Sequence, residues 1–187
     1  VPGVLLTPGP EVDESTNVTG SMIASCGDPR YDASSDDRLF LDHEGTFYSF
    51  DDTTMTAEIT FSGPDFQQGT TDMVGWYDNS TTATNYYITT SPGGSGDIVR
   101  TDISGSDYDV DWWSAVVDGG QGALSALTDW RPLLIYEKNL YVGDQQKLHR
   151  IDPDLNVSNG ILTLNYWEAI SALGIDQGSG KMLIATS

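Results

Sequence analysis

Asn139-Leu-Tyr-Val-Gly143, a polar turn through Asp144 and Gln145, and Lys147-Leu-His-Arg-Ile-Asp152 form the stretch that decides the fold. A short run rich in aromatic and β-branched residues, a polar turn and a second short run ending in aspartate read as a β-hairpin. Just before it lies a more continuous apolar segment, Leu133-Leu-Ile-Tyr136, and after it Ile161-Leu-Thr-Leu164, whose alternation suits a half-exposed outer strand. The region therefore reads as four consecutive strands.

The same order recurs along the chain. A first copy pairs Arg38-Leu-Phe-Leu-Asp42 with Thr46-Phe-Tyr-Ser-Phe-Asp51 across His43-Glu-Gly45. A second pairs Asn85-Tyr-Tyr-Ile-Thr-Thr90 with Asp97-Ile-Val-Arg-Thr-Asp102 across Ser91-Pro-Gly-Gly-Ser-Gly96, and Lys181 to Ser187 opens a fourth. Aligning Leu39, Tyr86, Leu140 and Met182 gives intervals of 47, 54 and 42 residues, close to the length of a four-stranded propeller blade. Apolar lead strands precede each hairpin at Met22 to Cys26, Met73 to Tyr77 and Ile170 to Ile175. Outer strands follow at Thr56 to Phe61 and Tyr108 to Trp112.

The expected fold is thus all-β, a partial β-propeller of about three and a half four-stranded antiparallel blades. They span about 21–63, 72–114, 129–164 and an incomplete 166–187, behind an extended lead-in at 1–20 that carries Pro2, Pro8 and Pro10. In each blade the lead strand should be innermost and covered on both faces. Helix is expected at most as one turn over Gly122 to Asp129, ended by Pro132. An open arc leaves apolar sheet faces to be covered, either by further blades of the same polypeptide or by neighbouring chains.

Composition narrows the function. Net charge is −20, from 28 acidic and 8 basic residues, and 22 of the acids are aspartate, which favours turns over helices. A field of that sign repels nucleic acid and anionic membranes, so neither is an expected direct partner. The apolar runs are far shorter than the roughly 18–20 residues of a membrane-spanning helix. The single Cys26 allows no internal disulfide and no thiolate metal site, and it reads as a small buried hydrophobe.

No residue set has the pattern of a catalytic centre, and no cofactor is expected. The two histidines, His43 and His149, fall in the repeated hairpins, and neither a Gly-x-Ser-x-Gly nor a His-Glu-x-x-His pattern occurs. Asp107, Asp109 and Asp111 place three carboxylates at alternate positions, like the start of a calcium loop. The glycine and distal glutamate of such a loop are missing and Trp112-Trp113 follows; the alternative is a strand with its aspartates on the wet face. If a metal binds, those three residues are its candidate ligands. Sequons at Asn17, Asn79 and Asn156 mark surface loops. Trp76, Trp112, Trp113, Trp130 and Trp167 could form a carbohydrate-stacking platform, but most sit on the apolar phase of expected strands, so core packing is the favoured reading.

From Pro2-Gly-Val through Asp51, and in the hairpin Asn139-Leu-Tyr-Val-Gly143, the chain resembles propeller-bearing virion proteins of tailed viruses, the tail nozzle or packaged-DNA stabilisation type. That resemblance implies a non-enzymatic structural component of a virion, extracellular, assembled with copies of itself or other virion proteins around a channel. The competing expectation is a secreted carbohydrate-binding or glycan-processing β-propeller.

Overall fold

The computed structural model describes residues 22–27, 38–42, 44–50, 54–61, 71–77, 85–90, 98–102, 109, 112, 113, 124 and 131–187. Apart from Trp112 and Trp113, whose backbone is helical at the end of the expected outer strand Tyr108 to Trp112, these residues form strands and turns, in four antiparallel sheets whose strands are consecutive in the chain. Sheet 1 holds β1 (Met22–Gly27), β2 (Arg38–Asp42), β3 (Thr46–Phe50) and β4 (Met55–Thr60). Sheet 2 holds β5 (Met73–Trp76), β6 (Asn85–Thr89) and β7 (Ile98–Thr101), to which Asp109 adds one antiparallel bridge opposite Arg100. Sheet 3 holds β8 (Leu133–Tyr136), β9 (Asn139–Asp144), β10 (Lys147–Ile151) and β11 (Val157–Thr163). Sheet 4 is the pair β12 (Ile170–Ile175) and β13 (Met182–Thr186).

Turn chemistry sets the registers. Between β8 and β9 the two loop residues Glu137 and Lys138 have φ of 48° and 68°, the left-handed pair that matches the twist of a two-residue hairpin. The β2–β3 turn closes differently. Asp42, fully buried, accepts from the N–H groups of Glu44 (3.0 Å) and Thr46 (2.7 Å) and from the Tyr48 hydroxyl (3.1 Å), while Gly45 at φ 83° turns the chain. Asp152 does the same after β10, where its Oδ1 accepts from Asp154 N and Asn156 N.

Period-two alternation then stacks the sheets. Leu39, Leu41 and Phe47 of sheet 1 pack on Met73, Tyr86, Ile88 and Val99 of sheet 2. Tyr87 and Ile98, pointing the other way, join Trp76, Trp112 and Trp113 against Leu133, Leu140, Val142 and Ile151 around sheet 3. Tyr141 and Leu148, on the far face of sheet 3, meet Ile170, Leu173, Met182 and Ile184 of sheet 4. Every residue of β6 is buried because sheet 2 is covered on both faces. The expectation for the lead strands is corrected: β1 and β8 are largely half-buried, and the second strands β6 and β9 are the deepest. A second strand has a hydrogen-bonded neighbour on each side as well as a packed face, whereas a first strand is an edge of its own sheet.

Two strand boundaries also move. The outer strand of sheet 3 begins at Val157, four residues before the apolar run Ile161 to Leu164. Phe61 leaves β4, its N–H bonding Gly45 O at 2.9 Å. The proposed single helical turn at 122–129 lies outside the described residues except Leu124, which is buried in the core between sheets 2 and 3. The lead-in at 1–20 also lies outside them.

The joint between sheets 3 and 4 has a strict size limit. Gly143 N donates to Pro132 O at 2.9 Å and Ile170 N to Gln145 O at 2.7 Å. A Cβ on Gly143 would lie 2.8 Å from both Ile170 Cγ2 and Pro132 Cγ, a rigid ring and a buried branched side chain that have little room to retreat. Gly143→Ala is expected to destabilise by about 1–3 kcal/mol through overpacking, read as a lower urea midpoint at unchanged slope; an unchanged midpoint would show that the joint is loose.

Candidate functional site

The described residues place most of their unusual polar chemistry at the end of sheet 3. Asp144 closes β9 and Arg131 stands two residues before β8, so the two meet across adjacent strands. Both are almost fully buried, with Arg131 Nε 3.3 Å from Asp144 Oδ1. His149 enters from β10 with its side chain on the sheet 2 side. Its Nδ1 lies 2.9 Å from Asn159 Oδ1, and its ring packs edge-on to Trp113 with centroids 5.4 Å apart. Nε2 faces Asp144 Oδ2 at 3.6 Å, too long for a hydrogen bond, and is buried with no hydrogen-bond partner.

What this cluster can do follows from its burial. A buried carboxylate needs a cation or several donors to offset lost hydration, and Arg131 supplies a charge-assisted one. Arg131, Asp144 and His149 are almost fully buried while Asn159 is exposed, and together the group acts as a polar bolt that holds β8, β9 and β10 in register. His149 was legible in the sequence as a strand residue; Arg131 and its pairing with Asp144 were not, because the contact spans a turn of unspecified geometry.

A second polar joint ties sheet 2 to sheet 3. Asp72, just before β5, accepts from Leu133 N (2.9 Å) through Oδ2 and from Met73 N (2.9 Å) through Oδ1. Its own N–H donates to Thr89 Oγ1 at 2.7 Å. Four residues on, Trp76 Nε1 donates to Lys138 O at 2.7 Å, a second stitch between the same sheets. Burial pushes the Asp72 carboxyl up, against the opposing pull of the two backbone donors.

The outer turns behave oppositely. Slight desolvation raises the Asp152 carboxyl, but the Asn156 side-chain amide, the Asn156 and Asp154 N–H groups and Arg150 outweigh it and hold it below the usual range. The Ser179 hydroxyl and Gly178 N–H do the same for Asp176. These hydrogen bonds build the two turns.

The remaining sequence candidates divide cleanly. Asp109 pairs with Arg100 through backbone bonds of 2.9 Å in both directions; Asp107 and Asp111 lie outside the described residues, as do His43, Trp130 and the sequons at Asn17 and Asn79. Among the described residues no group of three His, Cys, Asp or Glu side chains is placed to hold a metal ion. Cys26 is half-buried against the core between sheets 1 and 2. Asn156 is occupied by Asp152, donating through Nδ2 at 3.1 and 3.0 Å.

The tryptophans split as well. Trp76, Trp112 and Trp113 are core residues, but Trp167 is 69% exposed beside Tyr166 at 84%, the rings perpendicular with centroids 5.1 Å apart. The reading of Trp167 as core is corrected. It stands in the tight turn between β11 and β12, where Glu168 N donates to Asn165 O and Asn165 Nδ2 to Glu168 Oε2 at 2.9 Å. This turn presents the rings outward, away from any strand phase.

Two outcomes check the joints. Arg131→Met, which removes the guanidinium beside a buried carboxylate, is expected to cost about 3–5 kcal/mol in chemical unfolding, whereas Arg131→Met combined with Asp144→Leu recovers most of it; equal losses would deny the pairing. Asp72→Ala should cost about 1–3 kcal/mol by orphaning two N–H groups. For Asp72→Asn the sign comes from the raised folded pKa: the wild-type contribution is full below the unfolded value of 3.8 and is lost as pH rises through the folded value. The asparagine variant therefore gains stability relative to wild type as pH rises from 3.5 to 7, a trend that paired unfolding curves would reveal.

No family model matches the chain, and no curated protein matches it in sequence.

Proposed function

We propose that the chain is a non-enzymatic structural component of a virus particle, an arc of β-propeller blades in a tail or nozzle assembly that works outside the cell. The observation that carries the propeller reading is the succession of lead strands. β1 lies against β5, β5 against β8 and β8 against β12, while the sheets they lead pack face to face in the same order. Strands that begin consecutive sheets and neighbour one another in series are what blades around a common axis require. The structural role rests on the site chemistry: the described ionisable clusters are buried bolts or turn fasteners. The virion setting rests on the resemblance of the lead-in and the Leu-Tyr-Val-Gly hairpin. A charge of −20 suits a conduit wall to which DNA must not adhere.

One observation favours a second reading, a secreted carbohydrate-binding propeller. Tyr166 and Trp167 are the type of exposed aromatic pair on which sugar rings stack, and the hydrogen-bonded turn beneath them is ready-made. The two rings stand perpendicular, however, so they offer one sugar-sized face and not a flat platform.

Electron microscopy of the purified chain and of assemblies it forms, together with a glycan array and an electrophoretic assay with duplex DNA in low salt, separates the two. Expected are curved stacks or rings, no DNA shift and no glycan signal. Saturable glycan binding that disappears in Trp167→Ala would replace the first reading by the second.

A further inference from the structure

We propose that Asn159 is a self-modification site: its side-chain amide is lost by attack of the Gly160 nitrogen, and the fold assists that step through His149. The inference rests on β10 and β11 alone and holds whatever assembly the chain serves.

The reaction makes three demands. The residue after the asparagine must leave its own nitrogen unhindered, the backbone between the two must stand outside a regular ladder, and charge building on the amide oxygen must meet a donor. The chain has seven asparagines, and only Asn159 is followed by glycine, whose missing Cβ leaves the attacking nitrogen uncrowded. Leu140 follows Asn139, Val157 follows Asn156 and Tyr166 follows Asn165, and each brings a bulky side chain to that nitrogen.

The backbone demand is met at the outer edge of sheet 3. β11 is the outer strand there, and Asn159 on it is exposed. Pairing with β10 passes from Leu148 opposite Leu162 to Arg150 opposite Ser158, so Asn159, Gly160 and Ile161 stand across from His149 alone. A bulge leaves its extra residues out of the ladder. Gly160 turns the strand at φ 59°, and the nearest group to a Cβ placed there is Thr163 Oγ1 at 3.6 Å, so no packed side chain pins this turn.

His149 is the donor. Its Nδ1 lies 2.9 Å from Asn159 Oδ1, and because a carbonyl oxygen has no proton to give, Nδ1–H donates and polarises the amide. The ring is 3% exposed and packs edge-on to Trp113, so the donor is fixed before any charge develops. At the other asparagines the bonds hold the amide nitrogen: Asn139 Nδ2 donates to Glu137 O, Asn156 Nδ2 to Asp152 and Asn165 Nδ2 to Glu168. Those bonds restrain the leaving group and give the carbonyl no help.

The step balances with water as co-reactant. Gly160 N gives its proton to solvent and bonds to Asn159 Cγ, while His149 Nδ1–H holds the oxygen that takes the charge. The Cγ–Nδ2 bond then breaks, and the nitrogen gains a proton and leaves as ammonia. Water adds to the cyclic imide at either carbonyl; cleavage at Cγ gives aspartate, and cleavage at the main-chain carbonyl of residue 159 gives isoaspartate. Nothing is oxidised or reduced. In the aspartate form the new carboxylate accepts from the same Nδ1–H as a charge-assisted bond, which adds a negative charge beside the Arg131, Asp144 and His149 cluster.

The test is to incubate the intact chain at neutral pH, folded and in parallel in denaturing urea, and to map it by mass spectrometry. Asn156, Asn159 and Asn165 share the tryptic fragment Ile151 to Lys181, so each is an internal control for the others. Expected in the folded chain is conversion of Asn159 to a mixture of aspartate and isoaspartate, ahead of Asn156 and Asn165 and no slower than in urea. His149→Leu is expected to slow the folded rate by about two- to tenfold, the kinetic equivalent of one hydrogen bond, and to leave the rate in urea unchanged. Loss at Asn159 no faster than at its neighbours, a folded rate well below that in urea, aspartate without isoaspartate, or a folded His149→Leu chain that reacts as fast as wild type would overturn the proposal. The comparison of folded with unfolded wild type needs no variant, so it decides the matter even where His149→Leu fails to fold.

Discussion

Everything in this structure depends on one constraint: a β-sheet whose strands are apolar in both phases must be covered on both faces. Sheet 2 meets it fully. Tyr86 and Ile88 go to one side, Tyr87 to the other, and β6 between them has no exposed residue. With about 25 cal/mol gained per Å2 of apolar surface removed from water, each such strand draws its flanking sheets together. Once sheet 2 is sandwiched, sheets 1 and 3 have fixed partners, and sheet 4 follows from the far face of sheet 3. The order in space thus copies the order in sequence.

Stacking alone would let the layers slide, and polar groups remove that freedom. The Asp72 carboxylate spans from the start of β5 to the start of β8, and the Trp76 indole reaches the β8–β9 turn. Gly143 lets Pro132 and Ile170 close on β9 from one side, while Arg131, Asp144 and His149 lock the opposite phase. These contacts add modest net energy, because desolvation offsets much of each bond. Their contribution is specificity: a shifted register would leave a buried carboxylate or an indole N–H without its partner.

The all-β class and most strands were legible in the sequence because alternation and hairpin turns are local. Leu133 to Tyr136, Asn139 to Gly143 and Ile170 to Ile175 could be placed from residue type alone. Depth within a sheet was not legible that way: β8 is as apolar as β9, yet it is the edge and β9 the interior, a difference set by which neighbours arrive on each side. The β11 start was missed because Val157-Ser-Asn-Gly160 looks like loop, and its strand character comes from pairing with Arg150 and Ile151 through an irregular register. Of the candidate site, His149 was visible and its surroundings were not. Trp167 was misplaced because an aromatic residue beside apolar neighbours reads as core unless the Asn165 to Glu168 turn is known.

Edge strands, finally, distinguish surfaces that end from surfaces that continue. Where β4 and β11 meet water, the chain spends a charge, a bulge or a left-handed glycine to stop further pairing. Such devices cost local stability, since a bulge forfeits ladder bonds and a glycine loses more conformational entropy on folding. They persist because an unprotected edge is a template for association.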